Sequence, residues 1–361
     1  MMFPTSPVRA LEQSLLDNAL CELPADDGTR SFEQVIEMIG GATMSQAIAT
    51  AAELELPDLL AAHPLTLTEL SAATQCHAAS LRRLLRALCG IGICTEAGSD
   101  IFGLTSMGAQ LQRDAPSRLR SYVLWWSRHR WPLWGKLLQS VRSGESFAGA
   151  DSTGMKQLGD DEAAGIFHGA MAGLTRIISR GVLQSTDFLS TKCLVDVGGG
   201  TGELMGVILQ AHPAVQGVLF EQSHAIDGAR NHLAQAGVAD RCQMISGDFF
   251  ESVPAVGDTW VLKAIVHDWD DDAASCILRN CRKTMATGTR LLLVEQVMPP
   301  SIAHSMEDRR VAMADLNMLV MLGGKERTSA EFRALLERSG FRMGTTTPAA
   351  LGYSVIESWA A

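Results

Sequence analysis

Glycines 198–200 after Asp196, a His-Asp-Trp triplet at 267–269 and single carboxylates at 221, 248 and 295 are the residues whose types and spacing suit chemistry. Each group closes an apolar segment: KCLVDVGGG (192–200), VQGVLFEQ (215–222), CQMISGDFF (242–250), TWVLKAIVHDW (259–269) and TRLLLVEQVM (289–298). Imidazole titrates near neutral pH, so His267 suits proton transfer. A glycine-rich turn lets backbone amides approach a ligand closely. The acids Asp268, Asp270, Asp271 and Asp272 raise the question of a metal ion. They open an amphipathic segment at 271–285, however, and helix N-termini favour acidic residues through the macrodipole. With His267 available as a base, no metal is expected.

What must position these groups is a sheet. Helical segments GELMGVILQAH (202–212), HAIDGARNHLAQAG (224–237), DDAASCILRNCRKTM (271–285) and TSAEFRALLERSG (328–340) alternate with the strands. Thr328 or Ser329 caps the last helix, and FRMGTTTP and YSVIESWA supply closing strands. This alternation predicts an α/β fold with a mostly parallel, doubly wound, Rossmann-like sheet. Ligands of such sheets bind outside the C-terminal strand ends, so Asp196, Glu221, Asp248, His267 and Glu295 are expected to converge on one crevice. A dinucleotide fingerprint wants glycine at its first, third and sixth positions, yet counted from Gly198 the sixth is Glu203. A carboxylate there would repel a pyrophosphate and fill the close-packing site. No Lys or Arg lies in the loop to offset it, and no GxxxxGKS/T phosphate loop occurs. A cofactor with cationic groups and a ribose fits better, and S-adenosylmethionine carries an ammonium, a sulfonium and a ribose diol. Glu221 follows Gly200 by 21 residues, close to the ~20 that place a carboxylate on a ribose.

The 361-residue chain suits two domains better than one. Residues 1–110 read as helices with a small hairpin. MSQAIATAAELELPDLLAAH (44–63) leads, and TLTELSAATQC (66–76) follows with Thr66 and Glu69 spaced as a capping box. HAASLRRLLRALCGIGIC (77–94) ends at Gly90 and Gly92, and TEAGSDIFGLTSMG turns at Gly-Ser-Asp. Three helices and a hairpin make a winged-helix pattern, which invites a DNA-binding reading. Residues 1–100 hold 5 Lys/Arg against 13 Asp/Glu, whereas a DNA reader needs a basic face. The apolar helices at 31–62 suit burial in a subunit interface instead. Residues 111–190 are again helical. SYVLWWSRHRWPLWGKLL (121–138) holds Trp125, Trp126, Trp131 and Trp134, either a packed helix pair or the wall of an aromatic pocket. DDEAAGIFHGAMAGLTRIISRGVL (160–183) is an amphipathic helix capped by Asp160. The formal charge of −10 disfavours nucleic acid. The eight cysteines form no CxxC pair and suit a reducing compartment. No apolar run reaches the ~18 residues of a membrane span, and no basic-then-apolar leader opens the chain. A cytoplasmic location is therefore expected.

Taken together, LVDVGGGTG, FEQ, GDFF, LKAIVHDWDDD, LLLVEQ and GGKERTSAEFRALLERSGF make residues 192–345 resemble the plant- and bacterial-type small-molecule O-methyltransferases, relatives of caffeic acid and hydroxyindole O-methyltransferases. The N-terminal half resembles that family's dimerisation domain. The resemblance implies a winged-helix-like dimerisation domain (1–110), a helical connector and substrate-pocket region (111–190), an S-adenosylmethionine-binding catalytic domain (191–361), and a homodimer. It implies that Gly198 and the neighbouring loop, from Asp196 to Gly200, hold the methionine part of the cofactor. Glu221 takes the ribose hydroxyls, Asp248 and Phe249 flank the adenine, and Lys263 and Trp269 complete that side. His267 becomes the general base, flanked by Glu295 and Glu326, with Glu295 expected to accept the second imidazole N–H. A phenol has a pKa near 10, judging from tyrosine; a base is worth about 10²–10⁴-fold, and positioning ~7–11 kcal/mol. Trp131, Phe167, Met171, Met318 and Met321 are candidate substrate walls, since methionines and aromatics suit flat ligands. Asp315 and Asn317 are polar within the apolar DLNMLVML, so one of them is expected to face the pocket. Only Met321-Leu322 precede GGKERT, where plant relatives carry an extra polar segment, which favours an acceptor other than a phenylpropanoid. The expected acceptor is a small aromatic hydroxyl compound; nitrogen, an aliphatic hydroxyl, or a cofactor-sensing regulator are the alternatives.

Overall fold

The apolar strand segments pair into one mixed sheet in the computed structural model, which describes residues 27–147 and 161–361. The chain divides into two compact units, Met1–Gly108 and Ala109–Ala361. Residues 111–190, set apart as a connector in the sequence reading, fall within the second unit.

The second unit contains β4 (Cys193–Val197), β5 (Gln216–Glu221), β6 (Cys242–Ser246), β7 (Thr259–Lys263), β8 (Arg290–Met298), β9 (Arg327–Thr328), β10 (Phe341–Pro348) and β11 (Tyr353–Ala360). Their order is β10-β11-β8-β7-β4-β5-β6, with β9 paired to β8 off that path. Strands β4 to β8 run parallel, and β11 is antiparallel to both β8 and β10. Neighbouring residues of the central strands face opposite layers: Val195, Leu262 and Leu291 join one core, Leu194, Val261 and Leu292 the other. The first core is closed by the helices Asp271–Thr284 and Ser329–Arg338 through Ile277, Leu278, Phe332 and Leu336. Asp161–Ser185, Glu203–Ala211 and Ser223–Gln235 close the second through Val182, Ile208 and Leu233. Burial on both faces explains why these strands read as continuous apolar runs, and each such side chain contributes about 1.5–3 kcal/mol by leaving water. The Asp160 cap lies outside the described residues.

The first unit opens with helix α1 (Asp27–Glu53). The helix expected over 44–63 breaks at Glu55, which has φ 54° and precedes a separate short helix carrying Pro57 near its start. Strand β1 (Leu65–Thr66), helix α2 (Leu67–Thr74), helix α3 (Ala78–Gly90) and the hairpin β2 (Cys94–Glu96) with β3 (Ile101–Leu104) complete the winged-helix pattern. The Thr66–Glu69 capping box forms as its spacing predicts. Leu70, Leu81, Leu85, Leu88 and Phe102 make this unit's core.

Candidate active site

Chain order reverses at β4: β5 and β6 lie to one side, β7 and β8 to the other. A crevice at such a switch point is where a ligand of this sheet type binds. The loop after β4 is forced into shape by Gly198, Gly200 and Gly202, with φ of 71°, 56° and 79°, a region that side chains resist. Glu221, the last residue of β5, accepts the Gly200 N–H at 2.9 Å and the Gln222 N–H at 2.7 Å. Asp196 is 1% exposed and its Oδ2 has no hydrogen-bond partner. Burial pushes its carboxyl up to about 7, an effect the Lys263 ammonium opposes. Lys263 ends β7; burial lowers its pKa while Asp196, Glu295 and Asp268 hold it up. Asp248 is exposed and accepts the Phe250 N–H at 2.8 Å, which turns the loop after β6. Asn280 then pins that loop, donating to the Phe249 and Phe250 carbonyls at 3.0 and 2.8 Å. The Phe249 ring lies edge-on to Trp269 at 6.2 Å. Glu203 behaves differently from its sequence reading. It is 3% exposed and lies 3.6 Å from Arg176 and 3.5 Å from His232. Its charge is compensated inside the fold, so Glu203 disfavours a dinucleotide by the space it fills and not by repulsion.

His267 sits in a short turn, Val266–Asp268, just past β7. Its Nδ1 lies 3.0 Å from Glu326 Oε1 and 3.5 Å from Glu295 Oε2, and its Nε2 lies 3.3 Å from Asp268 Oδ1. Thus Glu326, and not Glu295, makes the hydrogen bond to the ring. Glu295 is otherwise engaged: its Oε1 accepts the Ile265 and Val266 N–H groups at 3.0 and 2.8 Å, which shapes the turn. Glu326 reaches the ring because Lys325 N–H donates to the His267 carbonyl at 3.0 Å. Any Cβ at Gly324 would collide with that carbonyl and with the Asp268 backbone. Burial by itself lowers the His267 pKa, but Glu295, Glu326 and Asp268 outweigh it and lift the imidazole to about 10. Burial likewise lifts Glu295 to about 7, opposed by His267. His267 is therefore a stronger base than free imidazole, and not the group titrating near 6.5 that its type suggests. The cluster His267, Glu295 and Glu326 has the geometry of a metal group, although a single nitrogen among carboxylates also suits proton transfer.

Helix Met306–Met321 brings Asn317, Met318 and Met321 inside, at 5%, 6% and 6% exposure. Both polar residues of its DLNMLVML stretch are used: Asp315 accepts the Glu326 N–H at 2.9 Å, and Asn317 Oδ1 accepts from Arg130 at 3.1 Å and Trp134 at 3.3 Å. Phe167 is partly buried, with its ring edge-on to Trp125 at 5.0 Å, and Met171 is partly buried one turn along the same helix. Trp131 differs from expectation: it is 40% exposed, whereas Trp126 and Trp134 face each other at 5.9 Å.

A model of the O-methyltransferase domain matches residues 134–342, and a model of the O-methyltransferase dimerisation domain matches residues 36–113. The chain belongs to the O-methyltransferase family. The phenazine O-methyltransferase of Lysobacter antibioticus is 38% identical over 328 residues, 90% of this chain and 95% of the relative. The mitomycin biosynthesis 6-O-methyltransferase of Streptomyces lavendulae is 37% identical over 340 residues, 92% of this chain and 96% of the relative. The crystal structure of LaPhzM superposes with a TM-score of 0.85 at 36% identity, covering 91% of this chain and 99% of that one.

Two basic residues of this O-methyltransferase escaped the sequence reading. Arg327 is fully buried; it donates to Asp271 at 2.9 Å and to the Val266 and Trp269 carbonyls at 2.8 Å each, clamping the turn that holds His267. Its place in GGKERT was the available signal. Arg130 had none, because its partner Asn317 is 187 residues away. The aspartate run also separates: Asp270 caps the helix Asp271–Thr284 through the Asp272 and Ala273 N–H groups, while Asp268 turns to the histidine.

Proposed function

We propose that this O-methyltransferase moves a methyl group from S-adenosylmethionine to a hydroxyl, phenolic in character, of a small aromatic specialised metabolite. His267 is its general base, and two copies of the chain join through the first unit. One observation carries the reading: the Glu326 carboxylate 3.0 Å from His267 Nδ1. It favours the proton on Nδ1 and leaves Nε2 as the accepting atom. Relatives named for phenazine and mitomycin chemistry support an aromatic acceptor.

The crevice fits the cofactor on its own chemistry. Asp196 offers a buried oxygen with no partner, Glu221 lies against the glycine loop, and Phe249 and Trp269 supply aromatic faces. Carboxylates favour a cation here, and the loop amides suit a carboxylate. When bound, S-adenosylmethionine supplies an electrophilic methyl group. Glu221 and Asp196 bind, Asp248 and Lys263 border the adenine side, and Phe167, Met171, Met318 and Met321 border the acceptor. His267 takes the acceptor's proton at Nε2. Its pKa is raised to about 10, so below that pH the ring is mostly imidazolium, and the neutral fraction, which grows as pH rises, is the form that accepts the proton. Asp268 steadies the imidazolium that results.

His267→Ala is expected to lower kcat by about 10²–10⁴-fold, with the Kd for S-adenosylhomocysteine nearly unchanged. Phenols screened with the wild-type enzyme provide the assay, and unchanged turnover removes the base assignment.

A further inference from the structure

Arg130 is a guanidinium without an acid. Among the described residues its one hydrogen bond goes from Nη1 to Asn317 Oδ1 at 3.1 Å, and no carboxylate pairs with it. Its Nε is buried with no partner. The same Asn317 oxygen also accepts the Trp134 indole N–H at 3.3 Å, so the guanidinium's hydrogen-bond acceptor among the described residues is neutral and shared. Two other arginines of this unit are met: the buried Arg327 by Asp271 and two carbonyls, the half-buried Arg241 by three carbonyls. Arg130 as a whole is half-buried, but a buried Nε with no partner is costly, which makes the exception informative.

The position of Arg130 says what the charge faces. It ends a π-helical turn, Trp126–Arg130, a rare geometry that concentrates at functional sites. Its guanidinium carbon lies 5.7 Å from the Trp126 ring, and Trp126 lies 5.9 Å from Trp134. Asn317, 5% exposed, has an Nδ2 group that donates to nothing among the described residues. Burial lowers the Arg130 pKa, and Tyr122, Asp268 and Tyr353 oppose this. Asn317 lies two residues from Asp315, which accepts the Glu326 N–H at 2.9 Å, and Glu326 in turn lies 3.0 Å from His267 Nδ1. The helix Met306–Met321 thus joins Arg130 to the group that holds the His267 ring.

We propose that Arg130, with Asn317 Nδ2, binds a carboxylate carried by the aromatic acceptor, whose ring lies along Trp126 and Trp134. This rests on the aromatic-hydroxyl reading above and narrows the acceptor to a hydroxyarene carboxylate. The guanidinium fork matches a carboxylate bidentately. A single negative charge suits one guanidinium.

The test titrates 3-hydroxy-2-naphthoate and its carboxamide into the full-length protein loaded with S-adenosylhomocysteine, read by calorimetry. The acid is expected to bind at least about tenfold tighter than the amide, the scale of one charge-assisted hydrogen bond. Arg130→Gln is expected to erase the difference, and Arg130→Lys to keep part of it, since lysine retains the charge without the fork. Equal affinities in the wild type, no binding of either probe, or an acid preference that survives in folded Arg130→Gln each overturn the proposal. Should Arg130→Gln fail to fold, Arg130→Lys carries the test: undiminished preference there overturns the proposal too. Methyl transfer is scored apart. An acid that binds by this pattern and is never methylated supports the carboxylate site and counts against the aromatic-hydroxyl reading.

Discussion

At the scale of single residues, the chemistry is set by how many charges share little water. His267 is pulled up to about 10 because three carboxylates surround it against the pull of burial. Glu326→Gln keeps a hydrogen-bond acceptor against Nδ1 but removes one of those charges. The imidazolium is then less favoured, so the His267 pKa falls, by ~1–2 units for a partner at this distance. The base is neutral at lower pH, and the rising limb of the kcat/KM profile is expected to move to lower pH. A limb that stays, or moves up, contradicts the assignment. Asp196 gives a second handle. Its carboxyl holds a proton up to about 7 because burial penalises the charge. A bound cation favours the ionised form, so S-adenosylmethionine binding at or below pH 7 is expected to release a proton, and affinity to rise with pH through that range. Calorimetry in buffers of different ionisation enthalpy measures the release, which Asp196→Asn should abolish.

At the scale of elements, what was legible in the sequence is what is local. The strand and helix alternation, the Thr66–Glu69 capping box, a cap at Thr328 and the acidic start of the helix at 271 all follow from residues a few positions apart. Contacts between distant elements were not legible. Glu326 was read as a flanking group, yet the chain's close approach at Gly324 makes it the ring's hydrogen-bond partner. The π-turn defeats periodicity in another way: one extra residue per turn shifts the helix phase. Trp131 was expected to line the pocket and stands 40% exposed, while Arg130 meets Asn317. The Gly324 contact yields a prediction. Gly324→Ala sets a methyl against the His267 carbonyl and the Asp268 backbone, neither of which can rotate away. The loop must back off, costing roughly 1–3 kcal/mol of stability in denaturant unfolding. Because this displaces Glu326 from Nδ1, kcat is expected to fall while S-adenosylhomocysteine affinity holds. Wild-type kcat in the variant would show that the Glu326 contact is dispensable.

At the scale of the whole molecule, the first unit leaves an apolar face uncovered. On α1, Phe32, Val35, Ile36 and Ile39 are 66%, 54%, 51% and 64% exposed. Their spacing of three and four residues sets them along one side of a helix of 27 residues, about 40 Å long. An exposed apolar stripe of this kind marks an interaction surface, and it lies in and beside the region matched by the O-methyltransferase dimerisation domain. The same unit is acidic, with 5 Lys/Arg against 13 Asp/Glu in residues 1–100, so nucleic acid is a poor match for it. A second copy of the chain is a better one, because a two-fold axis brings the same patch onto itself. Sedimentation of the wild type is therefore expected to give a dimer. Ile36→Glu combined with Ile39→Glu places charges within the stripe that water solvates well and an apolar interface does not. Since both side chains are already exposed in the single chain, the fold of the unit loses little, and the variant is expected to sediment as a folded monomer. A wild type that is monomeric at micromolar concentration, or a variant still dimeric, would mean that something other than this face joins the copies.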